Sequence, residues 1–308
     1  MSKAICIGYL AKVSASNVNA SHTEGNVIVA KKVTMPDGSA LPYVSGQAIR
    51  RMLRDRLNEL GYPLSEPHAD ISDQEVTPPA RPWEFADEDL FGYMDATGGK
   101  RRTSPVRVSA AVGLFPFQGD RDLGTRSFEH FQRDVEPQAA QRGGNMFETE
   151  IYANLFRGTV LVEIDRVGVF PKRETGEQDR EISAEERRRR VQALLEALNL
   201  LWGGGRTARL LSDLSPRLFA YCRLKVKHPV FLEALGALYE DGQYVLNLEP
   251  LCNVLDKFTL YREHTVFGVE PGVFGNEQEI RERLSDYGDV LTVYQAIEQA
   301  KGDVGTLW

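Results

Sequence analysis

Cysteine is scarce: Cys6, Cys222 and Cys252 are the only three in 308 residues. With no CxxC and no histidine at ligand spacing, neither a disulfide framework nor a zinc site is expected. A reduced, cytoplasmic thiol set is the reading. Long apolar runs are missing too, since no window reaches the roughly 18 uninterrupted residues of a membrane span. The opening MSKAICIGYLAKVSAS interrupts its short apolar run with Gly8 and Lys12, so it reads as a first strand rather than a signal peptide. No GxSxG, HExxH or paired carboxylates occur. GGGRTAR at 203–209 lacks the Lys-Ser/Thr ending of a nucleotide-binding P-loop. No repeat of solenoid period is visible. Positive charge is short overall, with a formal net charge of −7, which argues against coating nucleic acid by bulk attraction.

What charge there is segregates. Residues 1–62 carry eight Lys/Arg against four Asp/Glu, whereas 63–90 carry one against eight. Residues 99–133 return to seven basic against three acidic, and 270–308 hold three against eight. Such segregation suits one basic groove among acidic faces, or simply a set of solvated surfaces.

The pattern of elements is α+β. Residues 4–13 and 27–35 have strand character, the Ser/Asn-rich 14–26 does not, and PDGS (36–39) is a turn signal. After Ser45 as N-cap, Ile49, Leu53, Leu57 and Leu60 fall on one helical face until Gly61. Residues 62–90 are Pro-rich and acidic, an irregular insertion, and 104–117 reads as a strand. Residues 118–147 lack periodicity and form a candidate protruding arm, with strand recovering at 151–170. A helix is predicted over 183–202, with Val191, Leu194, Leu195, Leu198 and Trp202 as its stripe, and GGG (203–205) stopping it. Another helix is expected near 228–240, before a strand at 243–249 and a mixed helical tail.

Two features bear on chemistry. Gln47, Arg50, Arg51 and Arg54 share one face of the first helix's opening turns, off its apolar stripe. Three guanidiniums beside a helix N-terminus make a phosphate-binding surface, or an ordinary exposed face. The run Arg187–Arg190 reads as a solvated face with local ion pairs to Glu185 and Glu186. His22 in its polar loop is the one candidate general base, with no partner evident in the sequence.

SASNVNASHTEGN, VAKKVT and YVSGQAIRRMLR, followed by DLFGY (89–93), RTSPVRVS (102–109), ETEIYANLFRGTVLVEID (148–165) and WGGGRTAR (202–209), resemble the backbone subunit of type I CRISPR Cascade complexes. The similar branch is the DevR-like one of the RAMP superfamily, in types I-A and I-B. The resemblance covers most of residues 4–225. It implies an RRM-like (ferredoxin-like) palm (1–62 and 148–308), an inserted finger region (63–117) and a protruding thumb hairpin (118–147). It also implies a scaffold without catalytic residues, cofactor or metal. Copies would stack as a helical filament along the CRISPR guide RNA (crRNA), beside other Cascade subunits, with target DNA reached through the guide and no membrane involved.

Carried over by position, the RNA-binding residues are Asn17, Asn19, Lys31, Lys32, Ser45, Gln47, Arg50, Arg51, Arg54, Arg101, Arg102, Gly204, Gly205 and Arg206. Met146 and Phe147 are candidates for an apolar wedge against a displaced base, or for packing at the thumb's base. Ala20 departs from relatives that place an arginine there. The rival enzyme reading is a RAMP-type ribonuclease acting on guide or target RNA. It rests on His22 and Gly203–Gly205; target-cutting relatives present a loop aspartate, where this chain has His22 and Glu24. A second rival is a regulator that acts alone.

Overall fold

A computed structural model of the chain describes residues 2–66, 68–70, 75–96, 98–126, 145–176, 178–204 and 209–308. The fold is α+β, built on one large sheet. From one edge its strands run Asp289–Leu291, Arg262–Val269, Leu218–Leu224, Ala4–Ser16, Asn145–Glu163, Ala111–Gly113, Ala40–Val44 and Lys32–Thr34. The first strand lies antiparallel between two partners, from Ala4 opposite Glu163 to Ser16 opposite Tyr152 on one side and from Ala4 opposite Leu224 on the other. Val106–Val108 and Ala111–Gly113 pair antiparallel with the far side of Asn145–Glu163.

The first strand reads as unbroken apolar sequence because both its faces are covered. Ile5, Ile7 and Tyr9 enter one core with helix α1 (Gly46–Glu59) and with residues of two later helices, Val191, Leu194 and Leu198 from one and Ala296, Ile297 and Val304 from the other. Ala4, Cys6 and Leu10 enter a second core with Phe231, Leu251 and Ile280 on the opposite face. Gly8 belongs to that second face, where an added Cβ would sit 2.6 Å from the Phe231 Cβ. After α1 come α2 (Ala86–Phe91), α3 (Lys172–Thr175) and α4 (Ala184–Asn199), then α5 (Glu249–Lys257), α6 (Glu277–Leu284) and α7 (Val293–Gly305).

Several expectations need correction. Residues 228–240 do not form a helix: Gly236–Glu240 pairs with Gln243–Asn247 as a hairpin. Its turn is Asp241–Gly242, both at positive φ (+49° and +80°), the conformation that matches the twist of paired strands. The Ser/Asn-rich stretch is more regular than expected, with strand to Ser16 and again over Ala20–Glu24, around an irregularity at Ala15 (φ +44°). Leu60 and Trp202 lie beyond the ends of α1 and α4 and leave their predicted stripes for the surface. The expected finger region of 63–117 divides, because 106–113 lie in the main sheet.

The acidic insertion holds on to residues 166–174 and to α4 through buried charge. All five N–H donors of Arg102 are used: Nη2 on Asp89 Oδ1 (2.6 Å) and the Arg166 carbonyl (2.8 Å), Nη1 on Glu174 Oε2 (2.6 Å) and the Val169 carbonyl (2.9 Å), and Nε on the Asp89 carbonyl (3.0 Å). The other Asp89 oxygen takes Nη1 of Arg190 at 2.9 Å. The run Arg187–Arg190 is therefore not a solvated face. Arg187 and Arg190 are buried, Arg188 donates to the Leu307 carbonyl (2.6 Å), and Arg189 alone is exposed.

Candidate nucleic-acid interface

The N-terminus of α1 is fixed by three local devices. Ser45 Oγ accepts from the Ala48 N–H at 3.3 Å, and the Ser45 N–H donates to Asn19 Oδ1 at 2.9 Å. Gly46 opens the helix because a Cβ there would lie 2.6 Å from the Val108 carbonyl oxygen. Ser45 and Asn19 are thus capping groups, and they bring the loop after the first strand against the helix.

The four polar residues predicted to share a face of α1 separate into two environments. Arg50 donates to the Phe91 carbonyl, and Arg54 lies over the Phe91 ring (4.8 Å) with Nε 3.5 Å from Asp87. Burial lowers both guanidinium pKa values from their ordinary level, with Asp87 opposing the shift at Arg54. These two arginines join α1 to α2. Arg51 turns the other way, 71% exposed and 2.9 Å from Asp55, and Gln47 is exposed.

Arg51 borders a surface cleft of about 400 Å³. Asn19, Met52, Asp55 and Arg56 form one wall, and Trp202, Gly203 and Gly204 the other. Both glycines sit at φ +146°; a Cβ on Gly203 would stand 3.0 Å from the Met52 Cγ, and one on Gly204 3.3 Å from the Val18 carbonyl oxygen. Only glycine lets this wall lie so close. Arg56 is buried, gives Nη2 to Glu59 (2.7 Å) and lies over the Trp202 ring (4.7 Å). Its Nε and Nη1 have no hydrogen-bond partner among the described residues. Trp202 is 42% exposed. A half-open indole backed by a guanidinium, an exposed arginine and side-chain-free backbone together suit a stacked base and its phosphate.

Beyond Gly204 the chain returns to the base of the arm. Arg209 pairs with Asp122 and lies over the Phe147 ring (4.9 Å). The arm's feet are an antiparallel pair, Gly119–Arg126 with Asn145–Tyr152. Met146 is 60% exposed, and Phe147 packs under Arg209.

The remaining candidates fall elsewhere. Asn17 is buried and donates Nδ2 to the Glu150 carbonyl at 2.9 Å. Lys32 pairs with Glu150 Oε2 at 2.8 Å and lies over the Phe117 ring. Both are committed inside the fold, while Lys31 is half-buried beside them. Arg101 is exposed and lies in a separate cleft, and Arg102, fully enclosed by its ion pairs, is withdrawn as an RNA contact. Gly205 and Arg206 lie outside the described residues, as do 127–144 of the predicted thumb. His22 has a partner after all: Nε2 lies 2.9 Å from Glu24 Oε1, an exposed pair on an outer strand. Sequence reasoning missed Arg56 and Trp202, having placed the tryptophan in the α4 stripe.

Residues 80–229 match the family described as CRISPR-associated negative auto-regulator DevR/Csa2. Over that range the chain is similar to this family. The matched range holds DLFGY, RTSPVRVS and WGGGRTAR, so the resemblance read from those motifs is borne out, whereas α1 lies outside it. Two solved structures have a similar fold over nearly the whole chain. One, a chain of a "CRISPR RNA-guided surveillance complex", aligns with TM-score 0.60 and 16% identity, covering 97% of this chain and 99% of that one. Another, from a "CRISPR RNA-guided surveillance complex, pre-nicking", aligns with TM-score 0.61 and 15% identity, covering 98% and 100%. No curated protein matches the sequence. Among the described residues no cluster of His, Cys, Asp and Glu is placed to hold a metal ion, and no helix is long and apolar enough to cross a membrane.

Proposed function

We propose that the chain is a guide-RNA-binding scaffold of a type I CRISPR surveillance complex, polymerising along the crRNA spacer and presenting it for pairing with target DNA. The observation that carries this is the cleft between α1 and Trp202–Gly204, where an open arginine, a buried arginine with two donors unpaired among the described residues and an exposed indole meet at the foot of a hairpin. The strand order supports reading the centre as an RRM-like palm. Leu218–Leu224, Ala4–Ser16, Asn145–Glu163 and Val106–Gly113 follow the fourth-first-third-second order of a ferredoxin-like sheet, with α1 and α4 on one face. The insertion carrying α2 is then the finger, and the Gly119–Arg126 and Asn145–Tyr152 pair is the root of the thumb. The two fold relatives, both from RNA-guided surveillance complexes, favour the same role.

The scaffold performs no chemistry of its own in this reading; it holds sugar-phosphate and leaves sequence to base pairing. The test is the mass of complexes formed on RNAs of fixed, increasing length. A scaffold adds whole subunits in proportion to length, and Arg51→Ala/Trp202→Ala weakens assembly while leaving the monomer folded. A single RNA-independent mass would overturn the reading. Cleavage of the RNA, lost in His22→Ala, would replace it with the ribonuclease alternative.

A further inference from the structure

A second cleft, of about 530 Å³, opens at the opposite end of the sheet and is lined by Arg101, Thr103, Arg107, Arg166, Arg173 and Glu174. The register places it far from the first. Ser16 opposite Tyr152 lies beside the α1 cleft, and Ala4 opposite Glu163 lies beside this one, eleven residue steps or roughly 35 Å along the strand. Four guanidiniums on four separate segments converge here, and their roles divide.

Two are internal clamps. Arg107 holds Glu163 through Nε at 2.6 Å, and Arg166 holds the Thr103 carbonyl at 2.7 Å and Glu174 at 3.3 Å. Lys227 secures Glu163 from behind at 3.1 Å, and Arg102 secures Glu174 at 2.6 Å, so neither carboxylate is left to neutralise the mouth. The other two, Arg101 and Arg173, are exposed and form no ion pair among the described residues. Charge that folding has not used faces solvent in a concave site of nucleotide size, and a guanidinium fork matches phosphate oxygens.

We propose that this cleft is a second phosphate-binding site, in which Arg101 and Arg173 engage a phosphodiester of a nucleic-acid strand. An acidic segment from a second copy is the less suitable occupant, because the densest acidic run of this chain is already spent. Glu84 pairs with Arg81, and Asp87 takes Ser65 and Arg54. Glu88 accepts the Ala80 and Arg81 N–H groups, and Asp89 holds Arg102 and Arg190.

The experiment measures the affinity of the purified full chain for a 30-nucleotide single-stranded RNA across salt concentrations. Arg101→Ala/Arg173→Ala is compared with its parent in the wild type and in the Arg51→Ala/Trp202→Ala background. Since neither arginine has an ion-pair partner among the described residues, thermal melting stays at the parent's value. Each lost phosphate contact removes about 0.7 from the salt slope, so the double variant's slope is shallower by about 1.4 and its affinity falls about tenfold at low salt. Arg101→Lys/Arg173→Lys restores most of the slope. An affinity and slope equal to the parent's overturn the proposal. So does loss of poly-glutamate or inorganic-phosphate binding with RNA binding intact, which would assign the cleft to an acidic protein or a small anion. Failure of the scaffold reading looks different, because then Arg51→Ala/Trp202→Ala is the variant that matches the wild type.

Discussion

Replacing Asp89 with alanine removes a carboxylate shared by two buried guanidiniums. Asp89 is fully buried, 2.6 Å from Arg102 and 2.9 Å from Arg190, and it also accepts the Gly168 N–H at 3.1 Å. Breaking a buried ion pair by deleting one partner costs about 3–5 kcal/mol, because the remaining charge stays desolvated without compensation. Here each guanidinium keeps a second carboxylate, Glu174 for Arg102 and Glu186 for Arg190, so the loss belongs at the lower end, about 3 kcal/mol. That is still a sizeable part of the roughly 5–15 kcal/mol that keeps a domain folded. At roughly 2 °C per kcal/mol for a chain of this size, the melting midpoint falls by about 6 °C. Asp89→Asn keeps the shape and part of the hydrogen bonding and falls less. The assay is thermal and urea unfolding followed by far-ultraviolet circular dichroism at pH 7. Arg102→Ala belongs in the same series and lowers stability by a comparable amount. An Asp89→Ala midpoint within 2 °C of wild type would refute the claim that this network holds the insertion to residues 166–174 and α4.

Burial pushes the thiol pKa of Cys6 up to about 12 and that of Cys222 up to about 11, so at pH 8 neither reacts with an aromatic disulfide reagent until the chain unfolds; rapid native labelling of Cys6 would contradict that. Desolvation pushes the Glu163 carboxyl upward, but hydrogen bonds from Lys227 and Arg107 outweigh it and hold the pKa below the usual carboxylate range. A lowered folded value means the stabilisation is present above the unfolded carboxylate pKa of about 4.3 and is lost as pH falls through the folded one. Glu163→Gln therefore loses stability near neutral pH and flattens the acid limb of a stability–pH curve, and an unchanged acid limb would show that Glu163 does not contribute to it.

The elements legible in the sequence were those whose partners are implicit in a period. The first strand, α1 with Ile49, Leu53 and Leu57, and α4 with Val191, Leu194 and Leu198 follow from apolar spacing alone. What could not be read was set by distant residues. Arg50, Arg51 and Arg54 look equivalent on a helical wheel, and only the arrival of Phe91 and Asp87 withdraws two of them from solvent. Arg190 stands four residues before Leu194 and so on the buried face of α4, unlike the exposed Arg189, but the carboxylate that encloses it lies 101 positions earlier, where no local pattern reveals it. The hairpin at 236–247 did carry a local signal, Asp241–Gly242, which the helix-forming residues before it concealed. Trp202 was legible as apolar, but its place on an open wall depends on α4 ending at Asn199.

The strand Asn145–Glu163 runs without interruption from the arm to the far end of the sheet. Its first eight residues pair with Gly119–Arg126, and from Tyr152 onward it pairs with the first strand. Arm and sheet therefore share one strand, and the irregularity at their junction, between Val13 and Ser16, lies on its neighbour. A load on the arm travels along that single strand to Glu163, at the edge of the arginine cleft, instead of dissipating in a loop. Stiffness of this kind makes the molecule a ruler: the distance between its two arginine-lined clefts is set by a count of residues in one strand.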